Sequence, residues 1–355
     1  MHRSKRRAPK IVVTLVACLL AGILAAAAAD LVPEFSRPLG DELAWPLDLA
    51  VGPDGTAWVL GRNASGDGYS VIALDPAGKV RATLGGSELQ SPLRLAVTDA
   101  GRIVVSEICG RPQCSAALVV FAPGGKRERI IALPRGTVTD LASFGGELVG
   151  AVTQQMDGDG HAHLGFRLVD VARGVVERTN DDLVPADGVD RLVIQKAPSP
   201  DNCQRDFFLA PLPGGRFVAG YSGGNGFRVF GREGRAGRPV PLPAFTPRLL
   251  TARAAAGEWK AEEIARKQGR DYRPEDRCGF YRGVAALPGG DLVFAGRGRE
   301  DGRYLATVVD PDGRVKGTLG APCELNWTLT FRGDRAWAIC DDGDGGYVLR
   351  RFAVR

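Results

Sequence analysis

The sequence predicts an all-β fold built from six copies of one unit, and three observations support this. An apolar strand, a tight turn containing glycine and a second apolar strand recur six times along the 355 residues. Three of the five intervals between copies are 45 or 46 residues, the length of one four-stranded blade. Glycine (48) and proline (23) are frequent enough for a turn about every ten residues. Together these observations predict a six-bladed β-propeller. The six copies are Asp48–Val59, Arg94–Val105, Asp140–Val149, Phe208–Val218, Gly283–Val293 and Thr328–Trp337.

The N-terminal segment Met1–Ala29 has the pattern of an export signal. Five basic residues lie within the first ten positions, and Ile11–Ala29 is a continuous run of apolar and small residues. This pattern is typical of a signal peptide cut near Ala29. An uncleaved membrane anchor is the alternative, since a run of this length can just span a bilayer. In both cases we expect the remainder to lie outside the cytoplasm, either periplasmic or secreted, or anchored with the propeller outside.

The charge balance of the chain argues against a nucleic-acid partner. Five of the 46 Lys and Arg residues, and none of the 41 Asp and Glu residues, lie within Met1–Ala29. The remainder is therefore balanced in charge and lacks the positive field that follows a phosphate backbone. We expect no nucleic-acid partner, and a membrane contact only through the N-terminal segment if it is retained.

Residues 30–355 are predicted to form a single propeller. In the first blade the expected strands are Leu47–Val51, Thr56–Gly61, Tyr69–Leu74 and Lys79–Leu84. The turn before the fourth strand, Asp75–Gly78, has the Asp-Pro-x-Gly sequence of a type I turn.

The last blade supplies three strands from its own sequence. These are predicted at Leu325–Phe331, Arg335–Ile339 and Tyr347–Val354. We expect the N-terminal segment Leu31–Ser36 to be the fourth strand, because closing the ring removes an exposed sheet edge.

Two longer intervals predict insertions, at 184–204 between the third and fourth blades and at 244–277 between the fourth and fifth. The second insertion has helical signals: Thr246 and Pro247 suit an N-cap and first turn, and Glu263 with Lys267 forms an i,i+4 pair. Both insertions connect the last strand of one blade to the first strand of the next. They therefore lie at one face of the ring, called here the lidded face.

The cysteines are consistent with export. Six lie beyond Cys18, and an even number in an exported chain predicts up to three disulfides with 15 possible connectivities. The simplest pairing is Cys109–Cys114, Cys203–Cys278 and Cys323–Cys340. Zinc binding is disfavoured, since there is no Cys-x-x-Cys pair and only two histidines follow Ala29. We predict neither a metal nor a cofactor.

Two stretches of the first blade, Leu49–Val59 and Val71–Gly85, resemble NHL-type repeats. The similarity recurs over most of Leu47–Arg355 and extends to the gluconolactonase-like and TolB-like propellers. This resemblance implies a six-bladed propeller that is usually a binding or interaction platform and occasionally an enzyme.

The candidate ligand site lies where the inner strands begin, at the mouth of the central channel. Convergent polar groups, with Trp45, Tyr281 and Trp327 nearby, describe a site for a small molecule or a peptide. A polar ring around ordered water is the alternative. The candidate residues are Asp48, Arg94, Asp140, Asp206, Arg282 and Asn326.

No catalytic residue is predicted, because histidine, the residue most often used as a general base, is scarce. We expect an exported, non-catalytic propeller that binds a ligand or a protein partner on its lidded face. The alternative is a metal-dependent hydrolase or lactonase-type enzyme, with its site at the same channel mouth. A structural subunit of an envelope assembly is a third interpretation.

Overall fold

The structure is a computed structural model, and it describes most of the chain beyond residue 28. The described residues are 29–108, 116–134, 136–156, 162–181, 183, 207–232, 235–242, 259–260, 262–263, 266–267, 279–326 and 328–355. Within these ranges, no helix has both the length and the apolar character needed to cross a bilayer.

The described chain is almost entirely β, with 24 strands and one 3₁₀ turn at Pro213–Gly215, and the six described residues between 259 and 267 are helical. The first half contains β1 (Ala29–Pro38), β2 (Leu43–Val51), β3 (Ala57–Asn63), β4 (Tyr69–Leu74), β5 (Val80–Gly86), β6 (Pro92–Val97), β7 (Ile103–Ile108), β8 (Ala116–Phe121), β9 (Arg127–Leu133), β10 (Thr137–Ser143), β11 (Leu148–Met156), β12 (Ala162–Asp170) and β13 (Val175–Asn180). The second half contains β14 (Phe207–Pro211), β15 (Phe217–Tyr221), β16 (Gly226–Phe230), β17 (Ala236–Pro241), β18 (Gly283–Ala286), β19 (Leu292–Glu300), β20 (Arg303–Val309), β21 (Val315–Ala321), β22 (Thr330–Arg332), β23 (Arg335–Asp341) and β24 (Tyr347–Val354).

These strands form four separate four-stranded sheets and one of eight strands. The separate sheets are β2–β5, β6–β9, β10–β13 and β14–β17, and each is an antiparallel meander of consecutive strands. Burial drops at the fourth strand of a sheet: β8, the third strand of its sheet, is buried along its whole length, whereas β9 beside it is mostly exposed or half-buried. This gradient is expected when inner strands pack between neighbouring sheets and the fourth strand faces solvent.

The eight-stranded sheet consists of two four-stranded halves, β18–β21 and β22-β23-β24-β1. Strand β1 runs antiparallel to β24, from the pair Leu31 and Val354 to the pair Pro38 and Val348. A short parallel contact between β1 and β21 joins the halves. The expected pairing of the N-terminal segment with the final strand is therefore present, and β1 covers what would be the open edge of β24.

The first sheet follows the expected strands closely: β4 matches, and the ends of β3 and β5 differ by one or two residues. β2 begins at Leu43, earlier than the expected Leu47, and pairs with a longer β3 through two bulges. The turn at Asp75–Gly78 forms with a hydrogen bond from Gly78 N to Asp75 O of 2.7 Å. Gly78 has φ of +80° and lies under the Phe35 ring, so a side chain there is excluded both by conformation and by space.

The first strand of the last meander is shorter than predicted. The expected strand is Leu325–Phe331, whereas β22 spans only Thr330–Arg332. The cause is local: the Asn326 side chain accepts hydrogen bonds from the backbone N–H and the hydroxyl of Thr328. This Asx-type turn replaces extended backbone over the first half of the expected strand.

The apolar core lies between successive sheets. Between β10–β13 and β14–β17 it is aromatic, with Phe166 and Phe217 stacked at 4.3 Å between ring centroids and Phe217 and Phe230 at 4.8 Å. Such contacts add stabilisation of about 0.5–1.5 kcal/mol per pair beyond the buried area.

One of the three expected disulfides is present, Cys323–Cys340, and it joins the segment before β22 to the end of β23. Both cysteines belong to the core cluster that β1 shares with β18–β21, β23 and β24. Cys109, Cys114, Cys203 and Cys278 lie outside the described residues, as does the insertion at 184–204. The insertion at 244–277 lies outside them except for six residues between 259 and 267, so the extent of its helix remains a prediction.

Candidate functional site

A channel of about 230 Å³ runs through the centre of the molecule. Six inner strands line it, namely β2, β6, β10, β14, β18 and β22, the last together with the preceding Leu329. Each of these is the first strand of its meander and has one hydrogen-bonded neighbour, so its free edge faces the channel. The channel is therefore lined largely by backbone N–H and C=O groups, with side chains contributing at its two ends.

Asp48 connects the first sheet to the second at the mouth of this channel. Its Oδ1 accepts a hydrogen bond of 2.9 Å from the backbone N–H of Leu49, and its Oδ2 accepts one of 2.8 Å from Leu95 N–H. Leu95 lies on β6, in the neighbouring sheet. The carboxylate thus satisfies two edge N–H groups that would otherwise need water.

Asp140 makes the same pair of contacts two sheets further on. Oδ1 accepts from Leu141 N–H at 2.8 Å, and Oδ2 accepts from Leu209 N–H at 2.6 Å. Asp48 and Asp140 occupy the same position of the repeated unit. Asp48 therefore bridges β2 and β6, and Asp140 bridges β10 and β14.

Arg94 occupies the same repeat position on the sheet between them. Its side chain is 4% exposed, and its Nε donates to the backbone oxygen of Thr139 at 2.8 Å. The same Nε lies 3.8 Å from Asp140 Oδ1. Asp48, Arg94 and Asp140, called here the mouth cluster, thus link four consecutive sheets through one chain of polar contacts.

Burial shifts the titration of both carboxyl groups. The loss of hydration raises the pKa of Asp48 from 3.8 to about 6, against the opposing effects of Arg94 and two backbone N–H donors. Burial likewise raises the pKa of Asp140 from 3.8 to about 7, with the negative charge of Asp48 adding to the rise. For both groups the loss of hydration outweighs the lowering of the pKa by Arg94 and by the backbone N–H donors.

Arg282 lies beside the mouth cluster but has its own partner. Its Nη1 is 2.6 Å from Glu324 Oε1, an ion pair that joins the segment before β18 to the segment before β22. Arg282, Arg94 and Asp140 line a second cavity of about 30 Å³, next to Phe208 and Tyr281. A cavity of this size, lined by polar groups, can hold one or two water molecules.

Asn326 does not join this cluster. The Nδ2 of Asn326 donates to Ile339 O at 3.3 Å, and its Oδ1 is occupied by Thr328, so the side chain shapes its own turn. Asp206 lies outside the described residues, as does Trp327. Tyr281 is buried and donates its hydroxyl to Tyr221 O at 3.1 Å.

The contacts of these residues do not suit a metal ion. The four carboxylate oxygens of Asp48 and Asp140 accept backbone N–H groups, and the Arg94 guanidinium already lies 3.8 Å from one of them. Among the described residues, no three His, Cys, Asp or Glu side chains are arranged to hold a metal.

The opposite end of the channel carries a contact that the sequence did not suggest. Arg332, at the end of β22, reaches the turn between β6 and β7, where its Nη2 lies 3.1 Å from Asp99 Oδ1. Asp99 Oδ2 also accepts the backbone N–H of Gly146 at 2.8 Å, from the turn between β10 and β11. Three turns are thus tied together at this end. Nothing in the spacing of the repeats pairs two positions so far apart in the chain.

Comparisons with known proteins support the architecture alone. No protein-family model matches the sequence, and no curated protein is significantly similar to it. A structure of a DUF4221 family member from Bacteroides vulgatus is similar, with a TM-score of 0.54 at 11% identity, covering 92% of this chain and 99% of that one.

Two further solved structures resemble the chain. The WD40 repeats of RRP9 align with a TM-score of 0.55 at 13% identity, covering 92% of this chain and 100% of that one. A catalytically inactive virginiamycin B lyase from Staphylococcus aureus, solved with quinupristin, aligns with a TM-score of 0.51 at 9% identity. The alignment covers 90% of this chain and 99% of that one. At such low identities the likeness extends to the fold and to nothing finer. The chain is a β-propeller.

Proposed function

We propose that this chain is a six-bladed, extracytoplasmic β-propeller that binds a small ligand or a segment of a partner protein at the channel mouth on its lidded face. The count of six follows from treating the two halves of the eight-stranded sheet as separate blades. The observation that carries the proposal is the channel of about 230 Å³, whose mouth combines buried polar groups with aromatic neighbours.

Access from the lidded face follows from the asymmetry of the channel. At the other end, Arg332 and Asp99 join across the opening and bring three turns together. At the mouth, Asp140 faces both the channel and the smaller cavity beside Arg282. A ligand that enters from this side meets a carboxylate and two guanidinium groups before it reaches the backbone-lined interior.

An extracytoplasmic location is supported by two features. The Cys323–Cys340 bridge is of a kind that forms and persists in oxidising compartments. The segment Met1–Ala29 has the composition of an export signal. A non-catalytic role is supported by the contacts of the mouth cluster, in which every side chain holds a neighbouring sheet. The alternative of a metal-dependent hydrolase finds no support in those contacts.

The experiment is native mass spectrometry on the chain 30–355, purified without denaturant, compared with the denatured mass. We expect a non-covalently bound mass that is lost on denaturation. Asp140→Asn should weaken or abolish it, since Asp140 lies at the mouth.

Asp99→Asn is the matched control. It alters a carboxylate that also accepts one backbone N–H from a neighbouring sheet, but at the far end of the channel. The bound mass should survive this change. Equal loss in both variants, or no bound mass in the unaltered chain, would count against the proposal.

A further inference from the structure

We propose that the mouth cluster is a proton-binding site of the folded propeller, which takes up one proton in mildly acidic surroundings and thereby strengthens the joint between four consecutive blades. The proposal requires no ligand. It rests on the placement of two carboxylates, Asp48, which is buried, and Asp140, which is 21% exposed, around one shared guanidinium.

The balance of charge in the cluster is the first argument. Asp48 and Asp140 each hold a neighbouring sheet through backbone N–H donors, and these donors carry no formal charge. Arg94 is the only cation within the cluster and interacts with both carboxylates. With both carboxylates ionised the cluster has one excess negative charge in a buried position, which is costly unless it is neutralised.

Among the described residues, the charged groups on the neighbouring elements do not supply that missing charge. Arg282, from the segment before β18, is committed to Glu324 at 2.6 Å. On β3 the guanidinium of Arg62 donates to Gly66 O in an exposed hairpin, and on β7 Glu107 accepts from Gln90 N–H. Arg332, on β22, is at the far end of the channel with Asp99. The described strands β11, β14 and β18 carry no ionisable side chain.

A single proton resolves the imbalance. It is taken from solvent by one of the four carboxylate oxygens and leaves the cluster neutral, since one carboxylate then remains opposite Arg94. The neutral carboxyl group keeps its carbonyl oxygen as an acceptor for a backbone N–H. The elevated pKa values of about 6 for Asp48 and about 7 for Asp140 agree with this assignment, although the two groups share the proton and titrate as a pair.

The direction of the effect on stability follows from linkage. The pKa of each carboxyl is higher in the folded chain than its ordinary 3.8. The folded state therefore binds the proton more tightly than the unfolded state does. The resulting stabilisation is complete below the ordinary pKa and is lost as the pH rises through about 6 to 7. This is opposite to the usual behaviour of a paired surface carboxylate.

The direct test is a carboxyl ¹³C NMR titration of the chain 30–355 with selectively labelled aspartate. Asp48→Asn and Asp140→Asn assign the two resonances. We expect two signals to titrate jointly between pH 5 and pH 8, while surface aspartates complete their titration below pH 5. If both carboxyls titrate near pH 4, the proposal is wrong.

A second measurement connects the proton to stability. For the unaltered chain, we expect the equilibrium constant for unfolding to rise at least about tenfold between pH 5 and pH 8. The double variant Asp48→Asn, Asp140→Asn lacks the contribution of the pair. Its equilibrium constant for unfolding should rise less than about threefold over the same pH range.

Asp312→Asn is the matched control, because Asp312 is an exposed aspartate in the turn before β21. It should retain the full pH dependence. The proposal is overturned if the double variant and the control respond to pH alike. Should the double variant not fold, Asp140→Asn alone, together with the NMR titration of the unaltered chain, still decides the question.

Discussion

The carboxylate of Asp140 accepts a hydrogen bond of 2.6 Å from the backbone N–H of Leu209, which lies 69 residues further along the chain. Asp48 makes the equivalent contact with Leu95 at 2.8 Å. In both cases a side chain at the start of an inner strand occupies an edge N–H of the next sheet. The polar residues at the channel mouth therefore connect neighbouring sheets. A ligand that binds there would meet side chains that these hydrogen bonds already hold in place.

The first prediction concerns this joint. Asp140→Ala leaves the N–H groups of Leu141 and Leu209 without their acceptor, and we expect the free energy of unfolding to fall by about 1–3 kcal/mol. Asp140→Asn should cost less, because its amide oxygen can still accept one N–H. Chemical denaturation at constant pH measures both changes. Asp312→Ala, at an exposed position, should stay within about 0.5 kcal/mol of the unaltered chain. If Asp140→Ala and this control change the free energy of unfolding equally, the hydrogen bonds of Asp140 do not contribute to stability.

The second prediction concerns closure of the ring by β1. Leu31 is 3% exposed and packs in the same core as Leu319 and Phe352. Leu31→Ala should lower the free energy of unfolding by about 2–4 kcal/mol, through lost burial and the remaining cavity. Ser36→Ala, on the exposed side of the same strand, is the control and should change the free energy of unfolding by less than about 0.5 kcal/mol.

Deletion of residues 30–38 should uncover the β24 edge and produce aggregates in size-exclusion chromatography. A monomeric, fully stable deletion variant would contradict the closure.

The third prediction concerns the disulfide. Cys323 and Cys340 are separated by 17 residues, and a loop of this length corresponds to a stabilisation of about 3 kcal/mol from restriction of the unfolded chain. Replacement of both cysteines by alanine should produce a loss of this order in chemical denaturation. Peptide mass mapping without reductant should recover the two cysteines in one cross-linked peptide. If an alkylating reagent labels either one in the native, unreduced chain, the bridge is absent.

The fourth prediction concerns the far end of the channel. The Arg332–Asp99 ion pair is 3.1 Å long but about half exposed, so solvent screens it. A double-mutant cycle with Arg332→Ala and Asp99→Asn should give a coupling energy of only about 0.2–1 kcal/mol. The coupling should fall further at high salt. A coupling energy well above this range, or one insensitive to salt, would mean that the pair is more buried than the structure shows.

The regular part of the fold could be predicted from the sequence because its signals are local. The alternation of apolar residues and the turn sequence Asp75–Gly78 placed β4 without error, and β5 to within two residues. The early start of β2 could not be predicted, since it depends on pairing through bulges with a strand whose extension has no apolar pattern. The short β22 was missed because the Asn326 turn competes with extended backbone.

For three of the candidate residues the position was predicted but the contacts were not. The repeat placed Asp48, Arg94 and Asp140 at equivalent points of consecutive blades, and they do lie together at the channel mouth. Their partners are mainly backbone groups of the neighbouring sheets, such as the N–H of Leu95 and the carbonyl of Thr139. Every residue carries such groups, so no side-chain pattern in the sequence identifies which of them is used.

Amide hydrogen exchange at Leu95 and Leu209 is the most direct test of the central claim, that aspartates at the channel mouth join successive blades. In the unaltered chain both amides should be among the slowly exchanging ones, although each lies on an inner sheet edge. Asp48→Ala should accelerate exchange at Leu95 at least about tenfold and leave Leu209 nearly unchanged, and Asp140→Ala should do the reverse. Rapid exchange of both amides in the unaltered chain, or acceleration that is not confined to the partner, would contradict the account.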